Sequence, residues 1–172
     1  MQDTERASFE EAVLPHLDAA YNLARWLTRN EADADDCVQE AFLRAYRFYA
    51  GFHGVNCRAW LLTIVRNTCC TWLQAHRARK PTVTFDEEMH STASTAPDAE
   101  LLGKIDRELL RKAIDELPLE FREVIVLRDI DGTSYKDIAE IVGIPLGTVM
   151  SRLTRARGRL QHGLARQLGS ES

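Results

Sequence analysis

The chain has 172 residues, of which 45% are hydrophobic and 28% charged, so it can bury a core and is not disordered as a whole. It contains no run of about 18 apolar residues, which excludes a membrane-spanning helix. Residues 1–11 lack the basic and apolar segments of a secretory signal. We therefore expect a cytoplasmic protein that does not insert into a membrane.

Charges are segregated along the chain, although the net charge is only −4. Residues 41–85 contain seven Lys and Arg residues and no acid, and residues 141–170 contain five Arg residues and no acid. The remaining sequence is strongly acidic. This segregation predicts two cationic surfaces that make separate contacts with a polyanion.

Two amphipathic helices are predicted at the N-terminal end of the chain. Apolar residues three or four positions apart place the first from about Phe9 to Asn30. The second opens in the acid-rich turn 33–36, which suits the positive end of a helix dipole. It continues to Tyr49, where Gly51 stops it.

A third, longer helix is predicted over about residues 57–78, after the short loop 52–56. Aromatic side chains alternate with basic ones across residues 41–80, a pattern typical of single-strand binding, in which bases stack on rings and cations neutralise the backbone. The alternative is that the aromatic side chains belong to the core of an ordinary helical bundle, which is expected for Phe42, Tyr46 and Trp72. The buried stripe of the third helix is predicted at Leu61, Val65, Thr68 and Trp72.

Composition changes after this helix. Residues 81–100 contain no Lys or Arg, five acids, two prolines and a cluster of Ser and Thr, which indicates a flexible acidic linker. No segment has a strand pattern. We expect an all-α protein of two small helical domains, 1–80 and 104–172, joined by a linker over 81–103.

The second domain begins with two predicted helices, Leu101–Glu116 and Pro118–Asp129, followed by a turn at Asp131–Gly132. Ser134 and Asp137 then have the spacing of a helix N-terminal capping box. A helix beginning at this cap starts the most specific motif in the chain.

Residues 137–152 have the spacing of a helix-turn-helix. Ala139 is small where two helices cross, and Gly143 lies four residues later, where the turn favours a positive φ. The second helix of such a motif enters the DNA major groove with its N-terminal part. Candidates to face the groove are Thr148, Met150, Ser151, Arg152 and Arg155.

No catalytic, metal or cofactor site is predicted. The sequence lacks a phosphate-cradling glycine loop, an HExxH motif and a plausible Ser/His/Asp setting, so an enzyme is disfavoured. The chain has four cysteines, Cys37, Cys57, Cys69 and Cys70. We expect them to be reduced thiols that pack as small apolar side chains, and a metal or redox role is disfavoured.

Taken together, the two halves resemble a bacterial extracytoplasmic-function (group four) sigma factor, which has sigma regions two and four joined by a linker. Residues 33–44 (DADDCVQEAFLR) resemble region 2.2, and residues 58–67 (RAWLLTIVRN) resemble regions 2.3 and 2.4. Residues 117–128 and 132–140 resemble region four up to its helix-turn-helix.

The resemblance implies three binding sites. Core RNA polymerase would contact Asp35, Asp36, Gln39, Glu40, Leu43 and Arg44. The single-stranded −10 element, with one base flipped out, would contact Phe52, His53, Asn56, Cys57, Arg58, Trp60, Arg66, Asn67, Arg77 and Lys80. The duplex −35 element would be read by Thr148, Ser151, Arg152 and Arg155, with Met150 standing where the family often carries Arg or Lys.

The resemblance also implies a transcription initiation factor for a stress response, restrained by an anti-sigma factor and acting without a small-molecule substrate. The alternative from a different class is a stand-alone helix-turn-helix regulator. Such a regulator would need a dimerisation surface, and it would not need the docking face on the second helix or the single-strand loop.

Overall fold

The computed structural model describes residues 2–79 and 98–170, with side chains described for 3–77 and 106–169. Within these ranges the chain forms helices and connecting turns and no β-strand, which confirms the all-α fold class. Residues 80–97, which include most of the predicted linker, lie outside the described part.

The N-terminal bundle contains four α-helices: α1 (Gln2–Val13), α2 (Leu17–Thr28), α3 (Glu31–Phe48) and α4 (Cys57–Arg79). The prediction of one continuous helix from Phe9 to Asn30 is wrong. Pro15 lies in a 3₁₀ turn, Leu14–His16, that separates α1 from α2. Proline has no N–H to donate inside a helix, and its ring clashes with the preceding turn.

The C-terminal bundle also contains four α-helices: α5 (Asp98–Asp115), α6 (Leu119–Ile125), α7 (Tyr135–Val142) and α8 (Leu146–Ser170). The helix predicted over 118–129 is present, but its second half widens into a π turn, Val126–Ile130. The Asp131 N–H donates to the Val126 carbonyl at 3.0 Å, five residues back, and this widening ends the helix.

Side-chain caps fix where three of these helices begin. The Asn30 side chain accepts from the Asp33 N–H at 2.9 Å and starts α3. The predicted cap of α7 is confirmed, because the Ser134 hydroxyl accepts from the Asp137 N–H at 3.1 Å. Asn56 caps α4 in the same way, accepting from the Ala59 N–H at 3.0 Å.

The buried stripe predicted for α4 is confirmed, since Leu61, Val65 and Thr68 are buried and Trp72 is half-buried. The prediction that Tyr46 belongs to the core is wrong, because its residue surface is 47% exposed on α3. The buried apolar residues of both bundles form one continuous cluster, with α2 and α4 packed against α6 and α7. Among the described helices, none combines the length and the apolar character needed to cross a membrane.

Candidate nucleic-acid interface

The helix-turn-helix predicted from the sequence is formed by α7, a tight turn and α8. Gly143 closes α7 in the left-handed region, with φ +77°. Its N–H and that of Ile144 both donate to the Ala139 carbonyl, at 2.9 and 3.1 Å. A residue with a Cβ is strained at this φ, which explains glycine at the turn.

The residues predicted to read the −35 element lie together on the first turns of α8. Val149, Leu153 and Ala156 are buried and seat the helix on the bundle. The residues predicted to read DNA lie on the other faces of the helix. Met150, Ser151 and Arg155 are exposed, and Thr148 and Arg152 are half-buried.

Two other arginines of α8 support the fold. Arg157 forms a bidentate ion pair with Asp129 on the π turn, with N–O distances of 2.7 and 3.1 Å, and this raises the pKa of its guanidinium. Arg159 stacks over the Phe121 ring at 4.8 Å. Arg157 therefore holds α8 to the π turn and Arg159 holds it to α6. A count of basic residues in the sequence overestimates the cations available to DNA.

Aromatic rings form a chain at the start of α4. Trp60 stacks on Phe52 with centroids 4.7 Å apart, and Tyr49 lies 6.5 Å from Phe52. Phe52 and Trp60 are half-buried, whereas His53 is exposed in the loop between them. Phe52 and Trp60, both predicted for the −10 site, are therefore in contact, and their role in binding DNA stays a prediction.

Cys57 and Arg58, also predicted for the −10 site, are half-buried at the start of α4. The Cys57 thiol donates to the Ala12 carbonyl at 3.5 Å, and burial raises its pKa, so it is a protonated thiol packed on α1. Arg58 donates to Thr133 of the C-terminal bundle at 3.1 Å.

Further along α4, the residues predicted for the −10 site differ in their exposure and in their partners. Arg66 forms a bidentate ion pair with Glu123 of α6, at 2.8 and 3.1 Å. Asn67 is exposed and accepts from the second guanidinium edge of Arg66 at 3.3 Å. Arg77 is exposed near the end of α4, and Lys80 lies outside the described residues.

Sequence reasoning missed Glu123, the partner of Arg66. A usable signal was present, because Arg122 and Glu123 interrupt an otherwise apolar run from Phe121 to Leu127. A charged residue that must enter such a run requires a partner. The position of that partner in a distant helix could not be read from the sequence.

The predicted polymerase-docking residues all lie on one side of α3. Most are exposed, and Leu43 has 61% of its surface exposed, which is high for a large apolar residue. Glu40 and Arg44 form an ion pair at 3.0 Å one helical turn apart. An open groove of about 790 Å³ lies next to these residues. It is lined mainly by α2, with Asp35 and Gln39 of α3 and Asp131 of the C-terminal bundle at its edges.

Cys37 and Cys69 are buried between α3 and α4, where a hydrogen bond between the two thiols, and secondarily burial, raise the pKa of Cys69. All four cysteines are free thiols. No cluster of potential metal ligands occurs among the described residues.

Comparison with known proteins places both halves in one family. Residues 12–79 match the family model for Sigma-70 region 2, and residues 107–160 match the model for Sigma-70, region 4. The ECF RNA polymerase sigma-E factor of Haemophilus influenzae is 35% identical over 149 residues, covering 81% of this chain and 78% of that protein.

Two further relatives agree with this assignment. The ECF RNA polymerase sigma factor SigE of Mycolicibacterium smegmatis is 35% identical over 92% of this chain, which spans only 62% of that longer relative. The solved sigma factor RpoE of Bartonella quintana, in complex with the anti-sigma factor NepR, aligns with a TM-score of 0.73 and 32% identity, covering 92% of this chain and 97% of that one. The chain belongs to the extracytoplasmic-function sigma factors of bacterial RNA polymerase.

Proposed function

We propose that this chain binds core RNA polymerase and directs promoter-specific initiation, with α8 reading the −35 duplex and the α4 face binding the melted −10 strand. The observation that supports the proposal is the presence, in one chain, of a helix-turn-helix with an exposed polar face and of a separate exposed face on α3. A stand-alone DNA-binding regulator would require only the first.

The α8 face supports duplex recognition. Its exposed Arg155 and half-buried Arg152 lie beside Ser151 in the first half of a helix that is seated by a buried apolar stripe. Side chains of this kind, on the N-terminal part of the second helix of a helix-turn-helix, reach base edges and phosphates in the major groove.

The α4 face supports single-strand binding. Trp60, near the start of α4, stacks on Phe52; exposed Asn67 lies seven residues further along the same helix, and exposed His53 lies in the loop before it. An amide can hydrogen-bond the edge of an unstacked base, and Arg66 and Arg77 can neutralise its backbone. The proposal needs no covalent chemistry, because binding energy alone recruits polymerase and opens the duplex.

A protein restraint of the anti-sigma class is part of the proposal. The solved Bartonella quintana relative is bound to an anti-sigma factor. The groove between α2 and α3, to which the C-terminal bundle contributes Asp131, lies beside the proposed docking face and is open to such a partner.

Association with core polymerase tests the docking face. Asp36→Arg combined with Gln39→Ala reverses one exposed charge and removes an amide on α3, and we expect it to abolish co-elution with core polymerase on size exclusion. Asp106→Arg is the matched charge reversal at an exposed site on α5 and should co-elute normally. Full retention of binding by the α3 variant would exclude the assigned docking face.

Binding to −35 duplex DNA tests α8. We expect Arg155→Ala to weaken binding, and a loss of about 1–3 kcal/mol restricted to particular base pairs would identify a reading contact. A uniform loss across sequences would identify a phosphate contact. Arg166→Ala, an exposed arginine near the far end of α8, is the control. Equal binding by both variants and the unmodified protein would contradict the proposed reading face.

A further inference from the structure

An apolar patch lies on the first two turns of α8, beside the polar residues assigned to DNA. It consists of Leu146 and Met150, which have 49% and 51% of their surfaces exposed. Leucine and methionine are usually buried, so exposure of this extent at two neighbouring positions requires an explanation. Because the two residues are four positions apart, they lie on the same side of the helix, one turn from each other.

The patch does not contribute to seating α8 on the bundle. That contact is made by the buried side chains of Val149, Leu153 and Ala156, which lie on another side of the helix. The surface next to the patch is also open, because a Cβ added at Gly147 would meet no atom within 4 Å. A flat or concave surface can therefore approach the start of α8 closely.

The charges around the patch favour a polyanion as its partner. Residues 141–170 contain five arginines and no acid. Of these arginines, Arg155 is exposed and Arg152 is half-buried within two turns of the patch. Duplex DNA has the complementary arrangement, with base edges on the floor of the groove and phosphates along its rims.

The hydroxyl groups beside the patch are used inside the helix. Ser151 donates to the Thr148 carbonyl at 3.2 Å, and Thr154 donates to the Met150 carbonyl at 3.1 Å. A hydroxyl group has a single hydrogen to donate. In this arrangement Ser151 and Thr154 offer a base edge only acceptor lone pairs, and discrimination between bases at the patch depends on apolar contact.

Thymine is the base whose groove edge fits such a patch. Guanine, cytosine and adenine present hydrogen-bonding atoms in the major groove, whereas thymine also presents its C5-methyl group. An apolar side chain laid on a purely polar edge displaces water without replacing its hydrogen bonds, which costs free energy. Contact with a methyl group instead buries apolar surface on both sides, and the flexible thioether of Met150 adapts to its position.

We propose that Leu146 and Met150 select thymine in the −35 duplex by contact with its C5-methyl group. The inference rests on the proposed function, because it requires α8 to lie in the major groove. Four residues of helix rise about 6 Å, and successive base pairs are about 3.4 Å apart, so the two side chains meet methyl groups on different base pairs. Arg152 and Arg155 supply the contacts to phosphates and other bases.

Selection from a library of duplexes of random sequence, with the full chain as the binding protein, identifies the preferred bases. We expect the selected sequences to share thymine at two or more base pairs. Deoxyuridine then replaces these thymines one at a time in a selected duplex, which removes the methyl group and keeps the base pair. Fluorescence anisotropy should show binding weakened about fourfold for each methyl group lost, the effect of burying one such group.

Variants assign each methyl group to a side chain. Met150→Ala should bind the thymine and the deoxyuridine duplex equally at one position, and Leu146→Ala should do so at another. Leu168→Ala is the matched control, because Leu168 lies near the far end of α8 with 58% of its surface exposed. It should retain the full sensitivity to deoxyuridine at both positions.

Met150→Arg provides a gain of specificity that loss of folding does not imitate. An arginine at this exposed position carries the paired donors that guanine O6 and N7 accept, so we expect the selected base to change from thymine to guanine at one base pair. An unchanged set of selected sequences would place Met150 outside the groove and overturn its part in the proposal.

Equal binding of thymine and deoxyuridine duplexes by the unmodified chain overturns the inference, and so does a methyl effect that persists in both alanine variants. Selection of a shared sequence without this methyl dependence leaves the reading role of α8 in place. Selection of no sequence at all would overturn both the inference and the assignment of α8 to DNA. Association with core polymerase, measured separately by co-elution, does not depend on either result.

Discussion

At the scale of single side chains, the arginines divide between supporting the fold and remaining at the surface. Arg122 is the extreme case, with 4% of its surface exposed, and burial lowers its pKa to about 10. Its guanidinium donates to the carbonyls of Leu117 at 2.7 Å and Leu27 at 3.1 Å. These carbonyls are near the ends of α5 and α2, where helices leave acceptors unsatisfied. Arg122 therefore joins both bundles at their helix ends.

We expect Arg122→Ala to lower the free energy of unfolding by about 3 kcal/mol, because it removes charge-assisted hydrogen bonds and leaves buried carbonyls without a donor. Urea denaturation followed by circular dichroism measures this. Glu120→Ala, exposed on the same helix, should change stability by less than about 0.5 kcal/mol. A similar small effect for Arg122→Ala would show that its buried hydrogen bonds are not important for stability.

His16 gives the fold a pH dependence. Burial, and secondarily the charge of Arg58, lower the pKa of His16 from its ordinary value of 6.5. As the pH falls below that value the unfolded chain takes up a proton before the folded chain does, so stability decreases. We expect the urea concentration at the unfolding midpoint to decrease when the pH is lowered from about 7 to about 5, and to decrease less in His16→Gln. Superimposable pH profiles would rule out this contribution.

At the scale of elements, the local structure was predictable where it depends on a few neighbouring residues. The Ser134 cap, the Gly143 turn and the apolar stripe of α4 were all identified from spacing, because each is determined within one or two helical turns. The break at Pro15 was missed because the apolar spacing continues across it. The π turn at 126–130 carries no comparable local signature.

Two glycine substitutions should have opposite effects. Gly143→Ala places a Cβ at φ +77° and should cost about 1 kcal/mol of stability. Gly158→Ala lies within α8, where an added Cβ meets no atom within 4 Å, and should stabilise by about 0.5–1 kcal/mol. Thermal unfolding of the two variants compares them directly. Stabilisation by Gly143→Ala would contradict the assigned turn geometry.

At the scale of the whole molecule, the fold class and the helix-turn-helix were predictable, but the packing of one bundle on the other was not. The Arg66–Glu123 pair joins residues 57 positions apart, and the Asn22–Asp131 contact joins residues 109 apart. Periodicity records which face of a helix is buried and not which helix covers it. For this reason the sequence indicated cations available to DNA on α4, whereas in the structure two of them, Arg58 and Arg66, have partners in the C-terminal bundle.

The most direct test of the proposed function is transcription by purified core polymerase on fragmented genomic DNA, with and without this protein, followed by mapping of RNA 5′ ends. We expect discrete start sites that require the protein and share two upstream sequence elements, one for α8 and one for α4. DNA footprints by the protein alone, with no protein-dependent start sites, would contradict the proposed function and identify a stand-alone regulator.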